Sequence, residues 1–276
     1  QVSEGVFQRT LQALHLRRPK TSLEEQSFLA SAERYERMRT LAQEFTRKRA
    51  RPFDHEKSFL ALFDLCEQLR PHIINYSAVI GDDTSGRIPA LTLWRVINLH
   101  RSAAGLPKSE MRFLHGTSLR NGRGIEPPIG FLPHQKSSDD RALVVTESVS
   151  SGNSVSIIAS KCVPWYSRSQ IDIASVGSAG SLDSKSLSSY IGMRSFLGPL
   201  TGGNAFLDSG VATTGVTARE TRNPFTEAYR EAECPIPAGQ IADVRQSILL
   251  ASELIYRVQT ELPSNVSLNI PPSQSD

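Results

Sequence analysis

Ala142-Leu-Val-Val-Thr-Glu-Ser-Val-Ser-Ser-Gly-Asn-Ser154 decides how this chain is read. Ala142 to Val145 are apolar and partly β-branched, which predicts a buried strand, and the strand reaches an acidic residue at Glu147. Small hydroxyl residues and Gly152 follow, and Val155-Ser-Ile-Ile-Ala159 then begins an apolar helix. A strand, a carboxylate, a small-residue turn and a helix start are the parts from which α/β proteins build an anion pocket. Backbone N–H groups of the turn and the helix N-terminus face the anion, and the carboxylate can hold sugar hydroxyls.

Working outward, the segment Ile73 to Gly81 ends as a second buried strand and runs into Asp82-Asp-Thr-Ser-Gly-Arg87. A helix is expected from Ala90 to Leu99, with Leu91, Trp94 and Ile97 inside. In this turn glycine allows close backbone approach, while the aspartates Asp82 and Asp83, Thr84 and Arg87 are groups able to hold a metal-bound anion. Met111 to Gly116 predicts a third strand, and Gln170 to Gly177 a fourth. Between them, residues 117–140 carry glycines, prolines, Arg120, Arg123, His134 and Lys136 without helical or alternating periodicity, as a functional loop would. Strand, helix, strand, loop, strand, helix, strand over 73–177 predicts a parallel α/β sheet whose ligand loops leave the carboxyl ends of the strands.

The flanks read differently. Ser22 with Glu25 forms a capping box, and a helix runs towards Ala50 with Phe28, Ala32, Tyr35, Met38 or Leu41, Ala42 and Phe45 near one face. A second helix, Asp54 to Leu69, faces inward with Phe59, Leu62, Phe63, Cys66 and Leu69. The cations at 47–51 read as a solvated helix end rather than a nucleic-acid patch. Residues 178–215 are rich in Ser, Gly and Thr and show no clear pattern. A last helix is expected from Ile241 to Glu261, its apolar face made by Leu249, Leu250, Leu254, Ile255 and Val258. The division implied is a helical extension over 1–71, an α/β domain over 72–262 and a disordered tail over 263–276.

Composition narrows the class. At 276 residues, 39% hydrophobic and 21% charged, this is ordinary globular composition. A net charge of +3 tolerates a phosphorylated ligand but does not argue for nucleic acid. Cys66, Cys162 and Cys234 are far apart, odd in number and without C-x-x-C spacing, which points to a reducing compartment, the cytoplasm. No run approaches the roughly 18 apolar residues of a membrane span, and the N-terminus is not a signal peptide. The chain opens on Gln1, which fits a fragment or a processed product.

Three further readings of 146–154 fare worse. A Walker A loop needs Lys where Asn153 stands, and a dinucleotide fingerprint needs more glycines than one. A serine-hydrolase elbow is approximated by Ser148-Val-Ser-Ser-Gly152, but no histidine follows His134 to complete it.

Leu143 to Ser154 also resembles the phosphoribosyl-pyrophosphate (PRPP) motif of type I phosphoribosyltransferases, in which a strand ends in two acidic residues before a small-residue loop. The 82–87 turn stands where that family has its pyrophosphate loop, and 117–140 where it has a flexible catalytic loop. The resemblance implies a type I phosphoribosyltransferase-like fold, a parallel sheet flanked by helices, with the N-terminal helical extension added. It implies that Glu147 holds the ribose hydroxyls, directly or through Mg²⁺. Ser150, Ser151, Gly152, Asn153 and Ser154 would cradle the 5′-phosphate, Thr146 would be a substrate-binding residue at the family's first acidic position, and Asp83, Thr84, Ser85, Gly86 and Arg87 would face the pyrophosphate. Arg120 or Arg123 would close over the leaving group. The implied reaction is glycosyl transfer in nucleotide metabolism, a nitrogen acceptor displacing pyrophosphate from PRPP. Thr146 and Ser150 stand where the family carries acids, which motivates a non-catalytic alternative, a PRPP- or nucleotide-sensing or interaction module. The acceptor and the oligomeric state, a homodimer included, stay open.

Overall fold

The structure, a computed structural model, describes residues 22–48, 56–82, 86–114, 116, 119, 127, 130–132, 137–178, 183–201 and 238–260, with side chains of the first and last helices placed over 32–45 and 242–260. Two helices come first, α1 (Ser22–Lys48) and α2 (Glu56–Leu69), then a 3₁₀ turn at Arg70–Asn75. The remaining elements are β1 (Tyr76–Asp82), α3 (Arg87–Ala103), β2 (Glu110–Leu114), β3 (Arg141–Val149), α4 (Asn153–Cys162), β4 (Ile171–Ser178), α5 (Ser184–Ile191), β5 (Arg194–Thr201) and α6 (Ala238–Thr260).

The strands form one parallel sheet in the order β2-β1-β3-β4-β5. A parallel sheet needs both faces covered, and its inner strands therefore read as nearly continuous apolar runs. β4 is buried throughout, whereas edge strand β2 is half-buried over four of its five residues. On one face Tyr76, Val79, Leu143, Val145, Ala174 and Val176 pack with α1, α2, α3 and α6. On the other, Ala78, Ile80, Ala142, Val144, Ile171 and Ile173 pack with α4 and α5. The helical segment expected ahead of the α/β domain thus supplies part of the first cover: Met38, Leu41, Ala42 and Phe45 of α1 join Phe59, Leu62, Phe63, Cys66 and Leu69 of α2 in the same core. Polar contacts tie four helices on that side. Gln259 on α6 donates to Glu67 on α2 (3.0 Å) and lies 2.9 Å from His100 on α3, while Arg34 on α1 reaches Glu67 at 3.3 Å.

Four local expectations are corrected. β3 does not stop at its carboxylate but continues through Thr146 and Glu147 to Val149, because β4 keeps pairing with it up to Val149↔Ser178. α3 starts at Arg87 rather than Ala90; Pro89 falls within its first turn, where a missing N–H costs nothing. The unpatterned 178–215 stretch contains α5 and β5. Asp183 caps α5 by accepting from Ser186 N at 2.6 Å, and Leu187 and Ile191 bury one helical stripe. Gly198 and Pro199 are tolerated in β5 because it is an edge strand, where the register slips between Ser175↔Leu197 and Gly177↔Leu200. On α6, Leu249 is exposed, and Val244, Ile248 and Ala251 join Leu254, Ile255 and Val258 in the buried stripe.

Candidate functional site

From β1 the chain moves outward to edge strand β2 and then returns to the other side of β1 for β3, β4 and β5. Strand order reverses between β1 and β3. In open parallel sheets, ligands bind outside the carboxyl ends of the strands at such a switch point. The turns after β1 and β3, picked out in the sequence by their small residues, are the ones that leave it.

The turn after β1 is packed directly on β3. Gly86 N donates to Asp82 O at 2.8 Å, and a Cβ on Gly86 would lie 2.5 Å from Val145 O, so only glycine fits. Gly81 is equally confined, since its Cβ would meet the Phe113 ring at 2.6 Å and Ala90 at 2.9 Å. Arg87 opens α3, is buried, and holds its guanidinium 5.6 Å over the Phe113 ring, a cation–π arrangement. Asp83, Thr84, Ser85, Arg120 and Arg123 lie outside the described residues.

The turn after β3 is Ser150-Ser151-Gly152, with both serines exposed. Gly152 adopts the left-handed conformation (φ 76°), and a Cβ there would lie 2.9 Å from Leu187 Cδ1 on α5. Asn153 N bonds Ser151 Oγ (3.4 Å), and the Tyr190 hydroxyl on α5 donates to Asn153 Oδ1 at 2.7 Å. Ser154, in the first turn of α4, sits against Gly116, whose Cβ would be 2.8 Å from Ser154 O. No described residue other than glycine has positive φ, so Ser150 lacks the strained turn of a hydrolase elbow.

Both helices that start here, α3 and α4, have glycine at the N-cap and no side-chain cap hydrogen bond. α5, starting on the same edge, is capped by Asp183. A helix without a side-chain cap keeps its dipole for another acceptor, together with the first-turn N–H groups left after Asn153 N has met Ser151 Oγ in α4 and Pro89 has supplied none in α3.

A solved structure described as the crystal structure of orotate phosphoribosyltransferase from Aeropyrum pernix is similar to this chain, at 20% identity over 55% of this chain and 75% of that one, with a TM-score of 0.32. No protein-family model and no curated protein matches.

The acidic residues of the site divide between the faces of the sheet. Thr146 and Glu147 are each 1% exposed and, as strand neighbours, point to opposite sides. Thr146 continues the column Ala142, Val144 under α4 and α5, and Glu147 the column Leu143, Val145 that faces α3. Asp82, 8% exposed, continues Ala78 and Ile80 on the α4 side, and Gly116 N donates to its Oδ1 at 3.4 Å. Among the described residues no group of three or more His, Cys, Asp or Glu could hold a metal ion. With Thr146 in place of a second acid and the two carboxylates on opposite faces, the described residues do not fit a protein-held Mg²⁺.

Sequence reasoning names Asp82 only as part of its turn, and it does not single out Gly116 or Tyr190, which pack against these turns. Asp82 carried a local signal, as an acid ending a strand beside a small-residue turn. Gly116 and Tyr190 carried none, because their partners lie across the fold. Phe196 packs against the core with Arg194 5.1 Å over its ring. No described helix is long and apolar enough to cross a membrane.

Proposed function

We propose that this chain binds the ribose 5′-phosphate portion of PRPP or of a nucleotide at the β1/β3 switch point, and transfers the phosphoribosyl group to a nitrogen acceptor with release of pyrophosphate. The observation that carries the binding half is that helices α3 and α4, which cover opposite faces of the sheet, both open on glycine N-caps without side-chain caps at the point where strand order reverses. Two sets of first-turn N–H groups suit a ligand with phosphate at both ends. The exposed Ser150 and Ser151 hydroxyls add donors on the α4 side.

A second reading, a binding or sensing module without turnover, is favoured by Thr146: this buried, uncharged residue weakens the charge that would stabilise an oxocarbenium-like transition state. Calorimetry with PRPP, ribose 5-phosphate and nucleoside monophosphates, together with a pyrophosphate-release screen over nucleobases, separates the readings. Binding with turnover supports transfer, binding alone supports the module, and no binding by any of these ligands removes both.

A further inference from the structure

We propose that Asp82, assisted by Thr146, is the carboxylate that receives the sugar hydroxyls in this site, and that Glu147 is not. The proposal rests on the sugar-phosphate reading above and departs from the role that the resemblance implies for Glu147.

Strand register places the two residues together. Gly81 pairs with Val145, so Asp82, one residue on, stands beside Thr146 across the β1–β3 boundary. Both continue columns that pack under α4: Ala78 and Ile80 lead to Asp82, Ala142 and Val144 to Thr146. The phosphate turn belongs to this same side, since α4 sends Val155, Ile158 and Ala159 into that cluster. Gly116 joins the pieces physically. Its N–H donates to Asp82 Oδ1 at 3.4 Å, and its Cα side lies against Ser154 in the first turn of α4, where a Cβ would be 2.8 Å from Ser154 O. A single glycine thus separates the Asp82 carboxylate from the helix end assigned to the phosphate. Glu147 projects through the opposite face, towards α3.

A phosphate held at the start of α4 therefore brings its attached sugar to the Asp82 and Thr146 side. There a carboxylate accepts hydrogen bonds from the vicinal 2- and 3-hydroxyls, and the Thr146 hydroxyl can donate or accept. One carboxylate beside one neutral hydroxyl suits hydroxyl groups better than a divalent cation, which takes more anionic oxygen donors.

The test is calorimetric binding of ribose 5-phosphate and 2-deoxyribose 5-phosphate in the presence of EDTA, to the wild-type chain and to Asp82→Asn, Thr146→Val and Glu147→Gln. Asp82→Asn keeps the shape and the acceptor for Gly116. It is expected to weaken ribose 5-phosphate about tenfold or more and to shrink the preference for ribose over deoxyribose, as loss of a charge-assisted hydrogen bond does. Thr146→Val should weaken it about threefold, and Glu147→Gln should leave the ratio of the two affinities where it is in the wild-type chain. A purely structural role for Asp82 would lower both affinities together without moving their ratio. An unchanged ratio in Asp82→Asn, or a larger shift of that ratio in Glu147→Gln, overturns the proposal. Should Asp82→Asn fail to fold, an unchanged ratio in Thr146→Val overturns it as well. If the wild-type chain binds neither sugar phosphate, the sugar-phosphate reading itself falls, a result distinct from binding that ignores Asp82.

Discussion

The two ends of the sheet are built on opposite plans. At the amino end, Asp172 is fully buried and its carboxylate accepts five hydrogen bonds. They come from Tyr76 Oη (2.8 Å), Arg141 Nε and Nη2 (2.7 and 2.6 Å) and Arg194 Nε and Nη2 (3.0 and 2.6 Å). Four strands are stitched there through one side chain, and His72 adds a contact to Arg194 Nη1 at 2.6 Å. At the carboxyl end the close contacts are made by glycines, at Gly81, Gly86, Gly116 and Gly152, and two of the helices, α3 and α4, start without side-chain caps. Polar groups at the amino end satisfy one another. At the carboxyl end, glycines bring main-chain groups close together beside side chains such as Asp82 and Thr146. The first arrangement is a staple, and the second is where the proposed ligand would sit.

The largest expected effect breaks the amino end. Asp172→Asn leaves two guanidinium groups facing a neutral partner, and truncating one member of a buried ion pair costs about 3–5 kcal/mol. Urea unfolding at pH 7 should show that loss, and a change below about 1 kcal/mol would mean the cluster is not a structural staple. The same group predicts the acid limb. Burial alone raises the Asp172 carboxyl, but hydrogen bonds from Arg141, Arg194 and Tyr76 hold it below the usual carboxylate range. Its folded pKa is depressed, so its contribution is present above the unfolded pKa and lost as pH falls through the folded one. The variant should lack that part of the acid limb.

Much of this contrast was out of reach of the sequence. The β1 and β3 strands and the faces of α2 and α4 were legible because apolar runs and 3.6-residue stripes are local. The β5 strand was not, since Gly198 and Pro199 read as a loop until its position at the sheet edge is known. α5 left only faint marks, Asp183 as a cap and the Leu187 and Ile191 pair, inside a serine-rich background. The Asp172 cluster joins residues up to 96 positions apart, and no local pattern announces it. The small-residue turns after β1 and β3 were legible from composition, but which face each neighbouring acid takes depends on strand register, which no local pattern gives.

A smaller effect sharpens the rule at the amino end by removing the guanidinium partners. Asp64 on α2 is partly buried, and its hydrogen bond from Gln68 Nε2 (2.8 Å) has no cation behind it. Burial pushes its carboxyl up to about 6, against the lowering effect of that bond and with help from the nearby charge of Glu67. The folded pKa is raised, so the contribution is fully present below the unfolded pKa, near 3.8, and is lost as pH rises through about 6. Asp64→Asn should flatten the stability profile between those values and leave the protein more stable at pH 7 by roughly 2 kcal/mol, allowing for solvent screening. Parallel profiles for variant and wild type would show that burial does not govern this carboxyl.

The smallest stability effect should have the largest functional one. Gly152→Ala places a Cβ in the left-handed region at φ 76°, 2.9 Å from Leu187 Cδ1. The backbone penalty is about 1 kcal/mol, and the methyl contact is with the end of a side chain that can shift. Global stability should therefore fall less than in Asp172→Asn. The turn that presents the first N–H groups of α4 must nevertheless readjust, and Asn153, tied to Tyr190 at 2.7 Å, must move with it. Affinity for ribose 5-phosphate should drop by about tenfold or more, the scale of one lost charge-assisted hydrogen bond. Asp172→Asn, measured at a temperature where it remains folded, should keep its affinity. If both variants lose binding in proportion to lost stability, the two ends of the sheet are not functionally distinct. Loss of binding without loss of stability in Gly152→Ala, and the reverse in Asp172→Asn, is the pattern that separating a staple from a site requires.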